Sequence, residues 1–390
     1  MSKNTLTKVF FPALAFLISF SAYFFTRSAS LGFSDAAEFA LVTKLGSIAH
    51  GPGFPAYVFL GWVWAGMLSV LGANHYFSIQ LFSIIAASAA GVVLYFTTYN
   101  LSRKISAEQG EIYSGFVALV TALAFSCGFT MWYWSNNIEV YAFHVLAFSV
   151  LVYGALQYNQ ARSNRSIYIT AVGLALGLSN HHLTVILFLP FLLLFTGGNM
   201  FASEPVGDKK GKKPKPKKGS LVVEFITSKQ FAWFAGITTA ITVFFYGWMM
   251  YRAGLDMPFK FGRPDNLHRL YQHLTGAAWQ TAVAAKVEGI IGMRAPYFGW
   301  LLVRQYGLFL IFILAGAIWL ARGRRFAFMA VVVGYFLLLT AYQLRLNQVG
   351  DSDAYMLLPY YMLALFIPFG FKQLAAWKEQ SLVAAGVFAA

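Results

Sequence analysis

The chain reads as an all-α polytopic membrane protein, a bundle of about 10–12 transmembrane helices, and three observations predict this. Of its 390 residues 58% are hydrophobic and only 11% are charged, against roughly 25% charged in soluble domains. Its mean hydropathy is +0.61. Apolar runs of about 17–25 residues recur, the length that crosses a hydrocarbon core about 30 Å thick.

The first run, near 9–26, follows a basic start with Lys3 and Lys8. A cleaved signal peptide has a shorter apolar region and a small-residue cleavage site, so this run is read as an uncleaved first helix. Further candidates fall near 56–72, 77–101, 113–131, 139–158, 167–179, 183–197, 230–251, 299–320, 326–344 and 357–372. The whole of 1–390 is read as one membrane domain. It stops at SLVAAGVFAA, ten residues into another apolar run, as expected of a piece of a longer protein. Cys127, the single cysteine, lies in an apolar run; it permits no disulfide within one chain and is read as a small buried side chain.

The net charge of +15 is concentrated in loops. Seven positive charges lie in KKGKKPKPKK, Lys209–Lys218, whose prolines and glycine exclude a stable helix. Lysine and arginine are retained on the cytoplasmic side, so the segment 199–228 is read as a cytoplasmic loop, with Arg322–Arg325 and Gln160–Arg165 on the same side. No base-stacking motif accompanies the lysines, which excludes nucleic acid as the expected partner. The opposite loops then share the outer face: 27–55, the turn near Trp132, the turn near Asn180, 252–298 and the turn near Asp351. One count fails. Between the outer loop at 35–55 and the basic Arg103–Lys104 the chain crosses an odd number of times, yet two apolar runs intervene. Either 56–72 lies partly in the interface, or the basic residues are outside. Within 252–298, Leu267, Leu270, Tyr271, Leu274 and Ala278 recur at helical spacing, with His268, Arg269 and Gln272 elsewhere around the turn. This reads as an amphipathic helix on the membrane surface or lidding a cavity.

Ionisable groups near the bilayer are costly and mark cavities or pathways. Asp35 and Glu38, three apart, share one face if their segment is helical. Either can serve as a general base toward a hydroxyl; equally, Asp35 and Glu38 fit the first turn of a helix that follows Ser34. His50–Pro55, HGPGFP, is bent and non-helical just before an apolar run, as tolerated where backbone lines a cavity. WSNNIEVYAFH brings Trp134, Asn137, Glu139, Tyr141 and His144 to the outer end of a hairpin, and GLSNHH adds Asn180, His181 and His182. Neighbouring histidines on a helix point about 100° apart, so hydrogen bonding is favoured over metal ligation. Trp132, Tyr133 and Trp134 suit an interfacial aromatic belt as well as a sugar platform. No Walker loop, GxGxxG, CxxC or HExxH occurs.

The order D-x-x-E, H-x-P-G-x-P, W-S-x-x-x-E-V-Y-A-x-H, G-L-S-N-H-H resembles a membrane family, formerly a domain of unknown function, related to protein O-mannosyltransferases and of the GT-C glycosyltransferase fold. It covers residues 31–195 clearly. The resemblance implies transfer of a sugar, mannose among the candidates, from a polyprenyl-phosphate carrier to an acceptor hydroxyl on a protein or glycan. The site would face outward, in a bacterium from the inner membrane into the periplasm. It implies Asp35 and Glu38 as the catalytic pair and carries the binding motifs onto Glu139, Tyr141, Asn180 and His181. The usual H-P-P-G is HGPG here, with Gly51 in place of the first proline.

A sugar leaving a lipid phosphate departs with an anion that needs little acid help, so one carboxylate base and a nearby cation suffice; a glycoside hydrolase needs a second carboxyl group. Guanidinium matches phosphate oxygens, which nominates Arg294, Arg304 and Arg345, each equally suited to snorkelling. Asp351 and Asp353 suit contact with acceptor or sugar, or the end of a helix. No cofactor and no metal is expected. The competing class is a transporter or flippase for a lipid-linked or small polar solute. Transporters show paired broken helices in matching halves, and no second copy of the Asp35–Pro55 pattern is present.

Overall fold

The computed structural model describes residues 2–31, 35–197, 221–277, 290–345 and 351–389. All regular structure among these is helical. In chain order the helices are α1 (Lys3–Phe25), α2 (Ala36–Leu45), α3 (Pro55–Ser69), α4 (His75–Ile105), α5 (Gly110–Ser126), α6 (Phe129–Ser135), α7 (Tyr141–Ala161) and α8 (Asn164–Gly197). They continue with α9 (Leu221–Ile226), α10 (Lys229–Gly254), α11 (Leu267–Leu274), α12 (Ile290–Tyr306), α13 (Phe309–Arg322), α14 (Phe326–Arg345), α15 (Leu357–Ala364) and α16 (Ile367–Ala389).

Among the described residues six helices, α1, α4, α7, α8, α10 and α14, are long and apolar enough to cross a membrane. The number rises to nine if each of three bent pairs is one span. The protein is thus a multi-pass membrane bundle. Its runs differ from the sequence reading in four places, all at backbone breaks that hydropathy does not register: 113–131 crosses a 65° bend from α5 into α6, and 357–372 a 41° bend from α15 into α16. The runs 167–179 and 183–197 are one helix, α8, interrupted at His181 (φ −119°, ψ 77°). The run 299–320 is two, α12 and α13, bent by 99°. Cys127 is corrected as well: it sits at the bend after α5 and is exposed, not buried. The Lys209–Lys218 run and Ala278 lie outside the described residues, as does Ser34.

The odd crossing count resolves at α3. This helix has 15 residues, about 22 Å of rise and short of a bilayer core. Trp64 Nε1, in its middle, donates to the Ser78 carbonyl at 2.8 Å. Thr43 Oγ1, on α2, lies 3.1 Å from His75 Nε2. Both partners are in the first turn of α4, whose start is fixed by Asn74 Oδ1 accepting from the Phe77 amide at 2.8 Å. So α2 and α3 stay stacked at one end of the bundle, and α4 alone carries the chain to the other.

The core is built around α4 and α7, whose spans are mostly buried, while α10 is largely exposed at the periphery. The α7–α8 hairpin is a close crossing. A Cβ on Gly154 would stand 2.6 Å from the Thr170 amide, and one on Gly173 2.3 Å from the Leu151 amide. Small residues let backbones meet this closely where lipid supplies no hydrophobic drive between helices. The crossing holds the start of α7 and the break in α8 side by side, which places both sequence motifs at the same end as α2.

Candidate functional site

Asp35 occupies the N-cap position of α2 but makes no capping hydrogen bond, so capping does not account for the carboxylate. Its Oδ2 instead lies 3.8 Å from His50 Nε2. Glu38, one turn on, faces the same imidazole. Its Oε1 accepts from the His50 amide at 2.7 Å and lies 2.9 Å from Nδ1, with Oε2 at 3.0 Å. The helical spacing of Asp35 and Glu38 therefore does put both acids on one face, and the bent His50–Pro55 turn, with its cis Gly51–Pro52 bond, returns a base to meet them. Phe39, Phe54 and Phe261 pack around the His50 ring at centroid distances of 5.8, 5.2 and 6.3 Å.

Burial disfavours a proton on His50, but the hydrogen bond and charge of Glu38, then Asp35 and Glu139, outweigh it and raise the imidazole above its ordinary value. Burial raises the Asp35 carboxyl; His50 opposes that shift and Glu38 adds to it. The Asp35 side chain is 50% exposed and that of Glu38 10%, so Asp35 is the acid open to an incoming molecule. Asp351 joins from the turn before α15. Burial, reinforced by Asp35 and Asp353, pushes its carboxyl up to about 6. Glu139, 2% exposed, completes the group. One ligand atom each from Asp35, Glu38 and His50 falls within 4.8 Å of the others, close enough for a metal ion, although His50 Nδ1 is already held by Glu38.

Behind this cluster lies an aromatic wall. The His181 ring, at the break in α8, meets Tyr355 edge-on at 4.7 Å and faces Phe54 at 6.0 Å and His144 at 5.5 Å. Tyr141 stands T-shaped to Trp134 at 5.0 Å. Burial raises Asp353 while the Trp134 indole beside it lowers it. Asn180 Nδ2 donates to the Val140 carbonyl at 3.1 Å, tying the two motifs together. Tyr141, His144, His181, Thr184 and Tyr355 line a small cavity.

The structure thus gathers Asp35, Glu38, His50 and Glu139, with Trp134, Tyr141, Asn180, His181 and Asp353 around them. The other nominated residues make contacts of their own where they are described. Asn137 Nδ2 bonds the Tyr133 carbonyl within its own turn. Arg294 donates to the Gln343 carbonyl at 2.9 Å. Arg304 stacks on Phe129 and Trp300, 3.4 and 4.6 Å from their centroids. Among the described residues His182 shares no ligand set with His181, and the Arg345 side chain lies outside the described part. Two participants carried little sequence signal. Tyr355 is an aromatic among many, and His273, on α11, approaches the His50 turn from more than 200 residues away.

Fold and site together define a polytopic membrane protein with a carboxylate–histidine cluster at one end of its helices. Residues 35–199 match the family described as "Protein O-mannosyl-transferase TMEM260 N-terminal domain". A Dictyostelium discoideum protein named "Protein O-mannosyl-transferase tmem260" is 24% identical over 213 residues, covering 51% of this chain and 24% of that protein. The chain therefore spans about a quarter of that relative's length, and the segment that carries the motifs is similar to a family described as O-mannosyltransferases.

Proposed function

We propose that the protein transfers a sugar, mannose, from a polyprenyl-phosphate carrier to an acceptor hydroxyl, a protein Ser/Thr side chain, at the outer face of the membrane. In a bacterium this is the periplasmic face of the inner membrane. The observation that carries the reading is the division of labour between the two acids. Glu38 is committed to His50 through its amide and ring, whereas Asp35 is half exposed and makes no capping bond. Asp35 then accepts the hydroxyl proton as the oxygen attacks the sugar's anomeric carbon, and the polyprenyl phosphate leaves with the electrons of the broken glycosyl–oxygen bond. Burial brings the Asp35 carboxyl closer to working pH, which improves a general base. When it carries a proton, His50 sits near enough to favour the ionised form, and Glu38 holds that proton in place. The names of the family and of the Dictyostelium relative support this class of chemistry.

The direct test uses purified protein with a polyprenyl-phosphate mannose and a Ser/Thr peptide. Release of polyprenyl phosphate that depends on the peptide is expected; peptide-independent behaviour, or none, overturns the proposal. The reaction is expected to proceed without a metal cofactor, so turnover survives exhaustive EDTA treatment. Loss restored by Mg²⁺ or Mn²⁺ would recast Asp35, Glu38 and His50 as ligands.

A further inference from the structure

The chain that leaves α10 doubles back along the turn that bears His50. Arg252 donates to the Gly46 carbonyl at 2.7 Å and the Leu45 carbonyl at 2.6 Å. The Phe261 amide donates to the Ile48 carbonyl at 2.9 Å, and Ser47 Oγ to the Phe259 carbonyl. Residues 255–262 are thereby laid against 45–48 as a strap. α11 follows, with Leu270 packed against Ile48, Met249 and Ala253. In its last turn His273 presses on the site loop. A Cβ on Gly51 would stand 2.5 Å from the His273 carbonyl oxygen, and one on Gly53 3.1 Å from His273 Nε2. The Ala49 backbone is the ring's hydrogen-bonding neighbour. Gly51 does not have the positive φ of Gly53, so what requires glycine at Gly51 is the end of α11 above it and not its own backbone conformation. It is also the position at which this chain departs from H-P-P-G.

From these contacts we infer that His273 is a positioning residue for the acidic site: wedged against Gly51 and Gly53, it fixes the His50–Pro55 turn and hence the seat of the imidazole between Glu38 and Asp35. The turn is held to Glu38 by two short contacts of one residue, the His50 amide at 2.7 Å and Nδ1 at 2.9 Å. A shift of about an ångström loosens both. Burial holds the His273 ring below the ordinary histidine range, so it acts through shape and adds no competing charge. The titratable groups that face His50 are Asp35 and Glu38 from α2, Glu139 before α7, His181 from α8, Asp351 before α15 and His273 itself. The effect on turnover rests on the transferase reading above; the effect on His50 does not.

The test therefore reads His50 directly. In the full chain with carbon-13-labelled histidine, the His50 resonance is assigned by its loss in His50→Gln, and its titration is followed in wild type, His273→Ala and Gly51→Ala. The expected result is a midpoint above the ordinary histidine value in wild type that falls back toward it in both variants. Mannosyl turnover should drop about 10²-fold, the cost of a 1 Å misplacement, with the donor KM little changed. His268→Ala, on the exposed side of α11, should leave both readouts at wild-type values. If His273→Ala fails to fold, Gly51→Ala, which pushes on the His273 backbone carbonyl and not on its ring, decides. An unchanged His50 midpoint in either folded variant overturns the assignment. Absence of transfer by wild type counts against the transferase reading alone, since the titration still decides the role of His273.

Discussion

The two ends of α4 use the same ingredients in opposite ways. At its C-terminal end Arg103 meets Glu111 at 3.2 Å, with side chains 47% and 41% exposed, and Lys372 of α16 meets the exposed Glu108. Each base there has its own acid, and water has access to both. At the other end Asp35, Glu38, Glu139 and Asp351 surround one half-buried histidine. Exposed pairs contribute about 0–1 kcal/mol, whereas crowded carboxylates away from water shift one another's proton affinities. A charge in an apolar chain is therefore informative through what it shares its surroundings with, and two acids that share one histidine differ from two acids that each hold a base.

The strongest way to break this contrast is Asp35→Asn. Asn keeps the shape and caps a helix about as well as Asp, but it cannot take a proton, so turnover should fall by about 10² to 10⁴ with donor binding intact. Near-normal transfer by a folded, donor-binding preparation removes Asp35 from the mechanism. Glu38→Gln should act more mildly, by about tenfold and chiefly through KM. It should also lower the midpoint of His50, because the largest favourable contribution to its proton is the Glu38 hydrogen bond. A His50 midpoint that stays elevated in Glu38→Gln would place the source of the shift elsewhere.

Asp351→Asn sharpens the comparison through stability. The folded carboxyl titrates near 6 against an ordinary value of 3.8, so between those pH values the folded state holds a proton that the unfolded state has released. Stability then falls as pH rises through that window and levels off above it. Asp351→Asn should stabilise the protein on the order of 1 kcal/mol at pH 8, with the gain gone near pH 4; a thermal-shift series across pH reads this, and a gain independent of pH contradicts it. The smallest effect belongs to the other end. Glu111→Gln should cost less than about 1 kcal/mol and leave transfer unchanged; a larger loss in either measurement would show that the surface pairs do more than their exposure implies.

The sequence made the local part of this site legible and left the distant part hidden, for physical reasons. Asp35 and Glu38 were readable as one face because helical spacing is fixed, and HGPGFP was readable as a turn because proline and glycine admit little else. That His50 would stand between the two acids was not, since the turn's path is set by contacts with α10 and the strap. Hydropathy found the long helices, yet it split α8 in two at a break that lies at a polar pair, and merged α12 with α13, whose 99° bend leaves the apolar run uninterrupted. Arg294 and Arg304 suited a phosphate by chemistry; the structure gives Arg294 a backbone carbonyl and Arg304 two aromatic faces. Nothing in the order of residues says which partner a guanidinium finds.

The turn that carries Asp351, Asp353 and Tyr355 has a consequence for biogenesis. A ribosome delivers α2, the His50 turn and the start of α7 more than 200 residues before Asp351 and Tyr355, which come close to His50 and to the His181 ring respectively. Until residue 351 is made the nascent chain therefore carries the acidic pair without these partners, and truncations that end before residue 351 should insert and bury their first helices yet hold a site open to water on the side those residues occupy.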